Sequence, residues 1–312
     1  MKLALIGNFT EIYHEEGKAR AFQKLGHDVY RFDEKLFDEN DKDKIINEIK
    51  PDAVIYTKLR IKNQIELVTD LKKNDIKTVC WFPDYCNVGQ WENSAFNIKD
   101  IKNCGLSNSD LVLLPDANNS AKWKSLGINQ HLMRQAISEE FCYKSNKKLN
   151  QEFDVVFIGT VIDNDLYNYR FELVNFLRNK YKNKFLHLGG NNPYQVRNSD
   201  LNDLISSCKI VIADSPYKQG HPIWSNRVYE TLGRGGFCLH SNVPGIETEF
   251  EIGKHLDVYE HKNYYNLESK IDYYLKNSSE RIKIADAGFE HVKNNFTLNN
   301  RCKDVIEKIR QI

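Results

Sequence analysis

No stretch of the chain approaches the roughly 18 apolar residues that a membrane span requires. A secretion leader is missing too. The apolar opening Leu3-Ala4-Leu5-Ile6 gives way at once to Asn8, Thr10 and Glu11, so residues 2–6 read as a first strand. Net charge is almost absent: 44 Lys and Arg against 43 Asp and Glu leave +1. That excludes a global field drawing the protein onto nucleic acid or anionic lipid, although a local basic patch is compatible with it. The seven cysteines are odd in number, scattered, and contain no CxxC pair, which argues against a zinc site and points to reduced thiols in a cytoplasmic protein. The sequons at Asn118, Asn277 and Asn295 then read as chance. The GxGxxG fingerprint is also lacking. The glycines after the apolar runs, as in Gly7-Asn8-Phe9, Ile158-Gly159-Thr160 and Leu188-Gly189-Gly190, do not form it, so nicotinamide-dependent chemistry is a poor candidate.

What the chain does contain, at 312 residues with 41% hydrophobic and 28% charged residues, is enough material for two globular cores. In the first half, strand patterns fall at 2–6, 28–32, 53–56, 78–82, 110–114 and 131–134, separated by helical patterns at 19–25, 45–49, 65–73 and 119–126. Residues 144–152 are polar enough to be a linker, and the alternation then restarts. Strands are expected at 153–158, 185–188, 209–213, 237–240 and 256–259, and helices at 170–182, 201–208, from Ser225, and at 267–276, 280–294 and 298–310. Alternation at these lengths predicts an α/β protein of two doubly wound parallel-sheet (Rossmann-like) domains. The expected domains are 1–148 and 149–312, with the last helix free to pack back on the first. Two such domains would face one another across a cleft between their carboxyl edges, where ligands of α/β folds bind.

Residues 225–236, SNRVYETLGRGG, are the most informative dozen. Ser225 is a good N-cap and Gly235-Gly236 a helix stop before the apolar Phe237-Cys238-Leu239-His240. The helix follows an apolar strand and the polar loop 214–224, so its free N–H groups are expected at a sheet edge, a place that favours anions. Arg227, Glu230 and Arg234, spaced i, i+3, i+7, share one stripe. Such a stripe is either a solvated ion-pair face or a site in which Arg227 meets phosphate and Glu230 accepts ribose hydroxyls. Arg234, two turns from the start, is expected to pair with Glu230 and orient it. Ser225 and Asn226, at the helix start, belong to the same candidate ligand set.

Other residues carry weaker signals. Gly159 and Thr160 either end a strand or let a loop approach a ligand. His221 and Lys218, on the loop before the helix, are candidates for phosphate or leaving-group contacts, or surface residues. Asp163-Asn164-Asp165 has a metal-binding form and is equally ordinary turn chemistry. Asp84, in Trp81-Phe82-Pro83-Asp84, closes an aromatic strand end, and reads as a general base or a loop cap. Trp91, Trp123, Trp224 and the tyrosine pairs at 264–265 and 273–274 could stack on sugars, although most aromatics build cores. Lys58, Arg60, Lys62, Lys72 and Lys73 leave peripheral membrane contact open, with a solvated helix face the plainer reading.

Across residues 203–309, the chain resembles the C-terminal domain of the CgeB-like (spore-maturation-protein-like) glycosyltransferases, in the glycosyltransferase group-1 superfamily of GT-B fold. The matching pieces are Leu204-Ile205 through Ile210, Ser225-Asn226-Arg227-Val228-Tyr229-Glu230 with Gly235-Gly236, Pro244-Gly245, and Phe250-Glu251-Ile252-Gly253. Arg281 through Gly288, and Phe296-Thr297 ahead of Arg301, complete them. The first domain matches in layout and in Trp81-Phe82-Pro83-Asp84. The resemblance implies a nucleotide-sugar donor held by the second domain and an acceptor held by the first, with Arg227 on phosphate and Glu230 on ribose. Two departures stand out: Ile223 occupies the place of a second acid in many retaining relatives, and Phe296 that of a histidine.

The expected reaction is metal-independent transfer of a sugar from a nucleoside diphosphate to a hydroxyl of a glycan, protein or small molecule, with no cofactor beyond the donor substrate. Asp84 would deprotonate the acceptor in an inverting reaction, and the donor phosphate in a retaining one. A nucleotide-sugar epimerase of the same architecture and a non-catalytic nucleotide-sugar-binding protein are the alternatives. Near-neutral charge makes duplex DNA a poor candidate acceptor.

Overall fold

The computed structural model describes residues 1–9, 14–56, 64–82, 108–115, 120–147, 149–161, 169–189, 196–215 and 222–312. The chain forms two compact units: Met1–Gln135 with Leu298–Ile312, and Ala136–Thr297.

Unit 1 alternates β1 (Lys2–Gly7), α1 (His14–Lys24), β2 (Asp28–Asp33), α2 (Glu39–Asp43), β3 (Ala53–Tyr56), α3 (Gln64–Lys73), β4 (Lys77–Trp81), β5 (Leu111–Leu114), α4 (Ser120–Ser125) and β6 (Gln130–Leu132). The strands pair in the order β2-β1-β3-β4-β5-β6, every pair parallel. Continuous apolar strands such as AVIY and LVLL are buried throughout, as both faces of a covered parallel sheet demand. The helix after α2 widens into a π turn, Lys44–Ile49, which ends on Lys50 in the left-handed region.

Unit 2 contains a 3₁₀ turn (Glu139–Phe141), β7 (Phe153–Ile158), α5 (Tyr169–Tyr181), β8 (Phe185–Leu188), α6 (Asn198–Ser206), β9 (Cys208–Ala213), α7 (Arg227–Leu232), β10 (Cys238–Ser241), β11 (Asp257–Tyr259), α8 (Tyr264–Lys276) and α9 (Ser278–Asn295). Its parallel sheet runs β11-β10-β9-β7-β8. Leu173 and Leu177 of α5 and Leu267 and Ile271 of α8 cover one face, together with Ile210 and Ile212. The other face is covered by Leu204 and Ile205 of α6 and by Val228, Tyr229 and Leu232 of α7. The polar segment after Tyr143 is tied down within this unit. Ser145 Oγ donates to Asp203 at 2.6 Å, Lys147 pairs with Asp203 at 2.8 Å, and Leu149 N donates to Ser207 Oγ at 2.8 Å.

The last helix, α10 (Leu298–Gln311), packs on α1 in unit 1. Its buried stripe, Leu298, Cys302, Val305, Ile306 and Ile309, follows the helical period. Where the chain passes between units, Ile137 bridges Thr297 in parallel, and Arg301 Nε and Nη2 donate to Gln135 O at 3.3 and 3.2 Å. No helix among the described residues is long and apolar enough to cross a membrane. Among the described residues, Cys80, Cys142, Cys208, Cys238 and Cys302 form no disulfide with one another.

Candidate functional site

In unit 2 the strand order reverses direction between β7 and β9, which makes the carboxyl ends of those strands a topological switch point. One guanidinium ties the two loops that leave it. Arg170, at the start of α5, donates from Nε and Nη2 to the Asp214 carboxylate at 2.7 and 2.8 Å and from Nη1 to Thr160 O at 2.8 Å. Both members of the pair are buried, and the Tyr169 hydroxyl also donates to Asp214. Burial alone would lower the Arg170 pKa; the adjoining Asp214 carboxylate outweighs it and drives the value above the ordinary one. Burial first, and Asp214 second, push the Tyr169 hydroxyl far upward, so it stays a donor. Composition and motif reading missed this trio. The signal was available as an acid directly after a strand and an Arg at a helix start in the same domain.

The glycine of the β7 loop is engaged by its own fold. Gly159 N donates to Leu188 O at 2.8 Å, and His187 Nε2 lies 3.0 Å from Gly159 O. Gly189 has φ +129°, and a Cβ there would stand 2.4 Å from Gly159 O, so the backbones of the two loops touch where no side chain fits. Gly159 thus lies at the contact of the two loops, and the Thr160 carbonyl serves as the acceptor for Arg170.

The helix in SNRVYETLGRGG is only six residues long, Arg227–Leu232. Ser225 does not cap it, contrary to the expectation from sequence. Asn226, at the cap position, is already helical (φ −55°, ψ −19°), so the Ser225 carbonyl opens the turn, accepting from Val228 N at 3.2 Å, and its hydroxyl is enclosed without a hydrogen-bond partner. So short a helix aligns few peptide dipoles, and positive charge at this end rests mainly on Arg227. The stop is as expected: Gly235 has φ +78° and Gly236 N donates to Thr231 O at 2.9 Å.

On this turn Glu230 accepts from Asn226 Nδ2 at 3.2 Å through Oε1 and pairs through Oε2 with Arg234, whose side chain is 2% exposed. Arg227 is different. Its Nε is enclosed and lacks a hydrogen-bond partner. Burial pulls its pKa below the ordinary arginine value; the Glu230 carboxylate offsets part of this, and the charges of Arg234 and Arg170 add to it. A cation so placed gains from any anion brought beside it.

The underside of α7 is rigid. Tyr229 OH accepts from Trp224 Nε1 at 2.8 Å and donates to Glu249, and its ring meets Phe250 and Phe296. Trp224 is therefore a core residue, and so is Trp123. Ile223, in the place of the absent second acid, is buried at 4% exposure, and its carbonyl accepts from Ser215 Oγ at 2.7 Å. Asp84, His221, Lys218, Trp91 and Asp163-Asn164-Asp165 lie outside the described residues.

A family model described as glycosyl transferase-like matches residues 150–307, the span that holds every group of this site. The chain belongs to the glycosyl transferase-like family. No curated protein matches the sequence at a significant level. Solved structures show which fold this glycosyl transferase-like protein adopts. A glycosyltransferase from Rickettsia africae ESF-5 superposes with TM-score 0.66 at 14% identity, over 99% of this chain and 98% of that one. Anabaena Alr3699/HepE, solved in complex with UDP-glucose, gives 0.65 at 10% identity over all of both chains. A candidate UDP-N-acetylglucosamine 2-epimerase from Listeria monocytogenes gives 0.63 at 12% identity, covering 99% and 96%. All share two parallel-sheet α/β domains, the GT-B architecture, with this glycosyl transferase-like chain.

Proposed function

We propose that this protein is a CgeB-like glycosyltransferase that moves a sugar from a nucleoside diphosphate to an acceptor hydroxyl without a metal ion, with unit 2 holding the donor. The observation that carries the reading is Arg227, a cation with an enclosed and unpartnered Nε at the start of α7, one turn from a carboxylate fixed by two neighbours. As the glycosidic bond breaks, its electron pair leaves with the diphosphate. A fixed guanidinium stabilises that developing charge more than the ground state, which is how such a residue lowers a barrier. Glu230 accepts the ribose hydroxyls. The acceptor proton goes to Asp84 if the reaction inverts and to the donor phosphate if it retains. The UDP-glucose bound by Alr3699/HepE supports a uridine diphosphate donor as the first to try.

The test is calorimetric titration of UDP, GDP, ADP and CDP sugars into the wild type and the Arg227→Ala and Glu230→Ala variants. Each variant should bind the preferred donor about 10- to 100-fold more weakly, the worth of charge-assisted hydrogen bonds; melting temperature should change little in Arg227→Ala and fall in Glu230→Ala, which leaves the buried Arg234 guanidinium without its carboxylate. Unchanged affinity in both would overturn the site. Nucleoside diphosphate release that requires an acceptor marks the transferase; epimerised donor without acceptor would mark the epimerase instead.

A further inference from the structure

We infer that Arg234 is a positioning residue that makes the site selective for a ribose over a dideoxyribose donor, acting through Glu230; the inference rests on the donor reading above. Arg234 grips residue 230 twice, pairing with the carboxylate Oε2 and donating from the same Nη1 to the Glu230 carbonyl at 3.3 Å. Its guanidinium is buried, so it cannot trade this carboxylate for water without leaving the protein interior. Behind it the Phe141 ring lies 5.5 Å from the guanidinium carbon. That ring is itself held. The fully buried Asn202 donates both amide protons, to Phe141 O at 2.9 Å and Tyr143 O at 2.7 Å, locking the 3₁₀ turn that carries Phe141.

The consequence is a carboxylate with its rotamer chosen before any ligand arrives. A glutamate otherwise surrenders about 1.5–2 kcal/mol of side-chain entropy when it is ordered, and a ligand that must order it binds correspondingly less tightly. Arg234 need not touch the nucleotide at all. Its effect should appear only for ligands whose hydroxyls use Glu230.

Two ligands separate this from a merely structural role: whichever of UDP, GDP or ADP raises the melting temperature most, and its 2′,3′-dideoxy form. Calorimetry on the full chain should give a wild-type preference for the ribose form of about 30-fold or more, the worth of two hydrogen bonds to a charged group. Arg234→Met should cut that preference at least about tenfold while leaving dideoxy affinity within about twofold. Arg234→Lys, which keeps the charge and guards against a variant that does not fold, should retain most of it. Equal losses for both ligands in Arg234→Met and Arg234→Lys, or an undiminished preference in Arg234→Met, would overturn the inference while leaving the Glu230 assignment intact. A wild type without ribose preference, or a preference that survives Glu230→Gln, would overturn the Glu230 assignment and this inference with it.

Discussion

The Arg170–Asp214 pair shows what a single buried interaction does at the edge of this sheet. It holds the Thr160 loop and the Asp214 loop together, and neither partner has water to fall back on. Breaking it by Asp214→Ala leaves a buried guanidinium without its carboxylate and should cost about 3–5 kcal/mol, read as a lower urea midpoint at constant slope. Arg170→Met combined with Asp214→Leu should recover much of that, since two apolar groups of similar volume leave no charge stranded. His240 sets a second residue-scale test. It is fully buried on β10, with Nδ1 2.6 Å from Ser241 O and Nε2 enclosed without a partner, and burial lowers its pKa. Below about pH 6.5 the unfolded chain takes up a proton at this imidazole that the folded chain refuses. The unfolded state then binds more protons, so stability is whole above that pH and falls as pH drops toward the folded value. Urea unfolding should therefore weaken from pH 7 to pH 5, and His240→Gln should flatten that slope. His27, His131, His187, His255 and His261, lowered first by the same cause, add to the slope.

Elements were legible wherever apolar period and a stop signal agreed. β3, β7 and β8 fall on the residues that pattern alone marks: β3 is apolar and buried along its whole length, as a strand covered on both faces must be, and β7 and β8 are apolar but for Asp154 and His187. Most helix starts were legible to within a residue or two: α3, α5 and α10 begin at Gln64, Tyr169 and Leu298, where the pattern places them at 65, 170 and 298. α1 and α8 start earlier than expected, at His14 and Tyr264, because the pattern registers the fully buried Ala19 and Leu267 and not the half-buried residues ahead of them. The start of α7 misled for another reason: a serine caps only when its hydroxyl accepts from a free N–H of the first turn, and the Ser225 hydroxyl is enclosed without a partner. The Glu230–Arg234 pair was readable from spacing, whereas Arg170 and Asp214, 44 positions apart, meet only through the order of the strands. Gly288, within α9, shows how closely elements pack behind the site. A Cβ there would lie 2.3 Å from His255 O and 2.9 Å from Leu232 Cδ2 of α7. In an open helix Gly→Ala stabilises by about 0.5–1 kcal/mol; here Gly288→Ala should instead destabilise by about 1–3 kcal/mol, seen as a lower melting temperature.

At the scale of the molecule, the chain leaves unit 2 after Thr297 and gives its last helix to unit 1, where Cys302 meets Lys18, 284 residues earlier. The stripe of α10 was plain in the sequence, but an apolar stripe carries no address, and only the fold shows that α1 receives it. The string Phe296-Thr297 with Arg301 gains a physical meaning here: Phe296 O accepts from Ile137 N at 3.2 Å, and Arg301 grips the Gln135 carbonyl. Cys302, Val305 and Ile309 are completely buried, and Lys77 Nζ donates to Ile309 O at 2.9 Å. Each apolar side chain so buried is worth about 1.5–3 kcal/mol, so the helix as a whole contributes a sum comparable with the entire stability of an ordinary domain. A chain ending at Thr297 should therefore lose unit 1. Hydrogen exchange followed by mass spectrometry should show protection collapsing through β1, β3 and β4 while β7, β9 and β10 keep theirs, because every strand contact of unit 2 lies within Ala136–Thr297. Protection retained in β1 and β3 would mean that the sheet of unit 1 stands without its C-terminal helix. The milder Val305→Asp variant should show the same ordering at a lower denaturant concentration than wild type, since it places a charge where no water or partner can reach it.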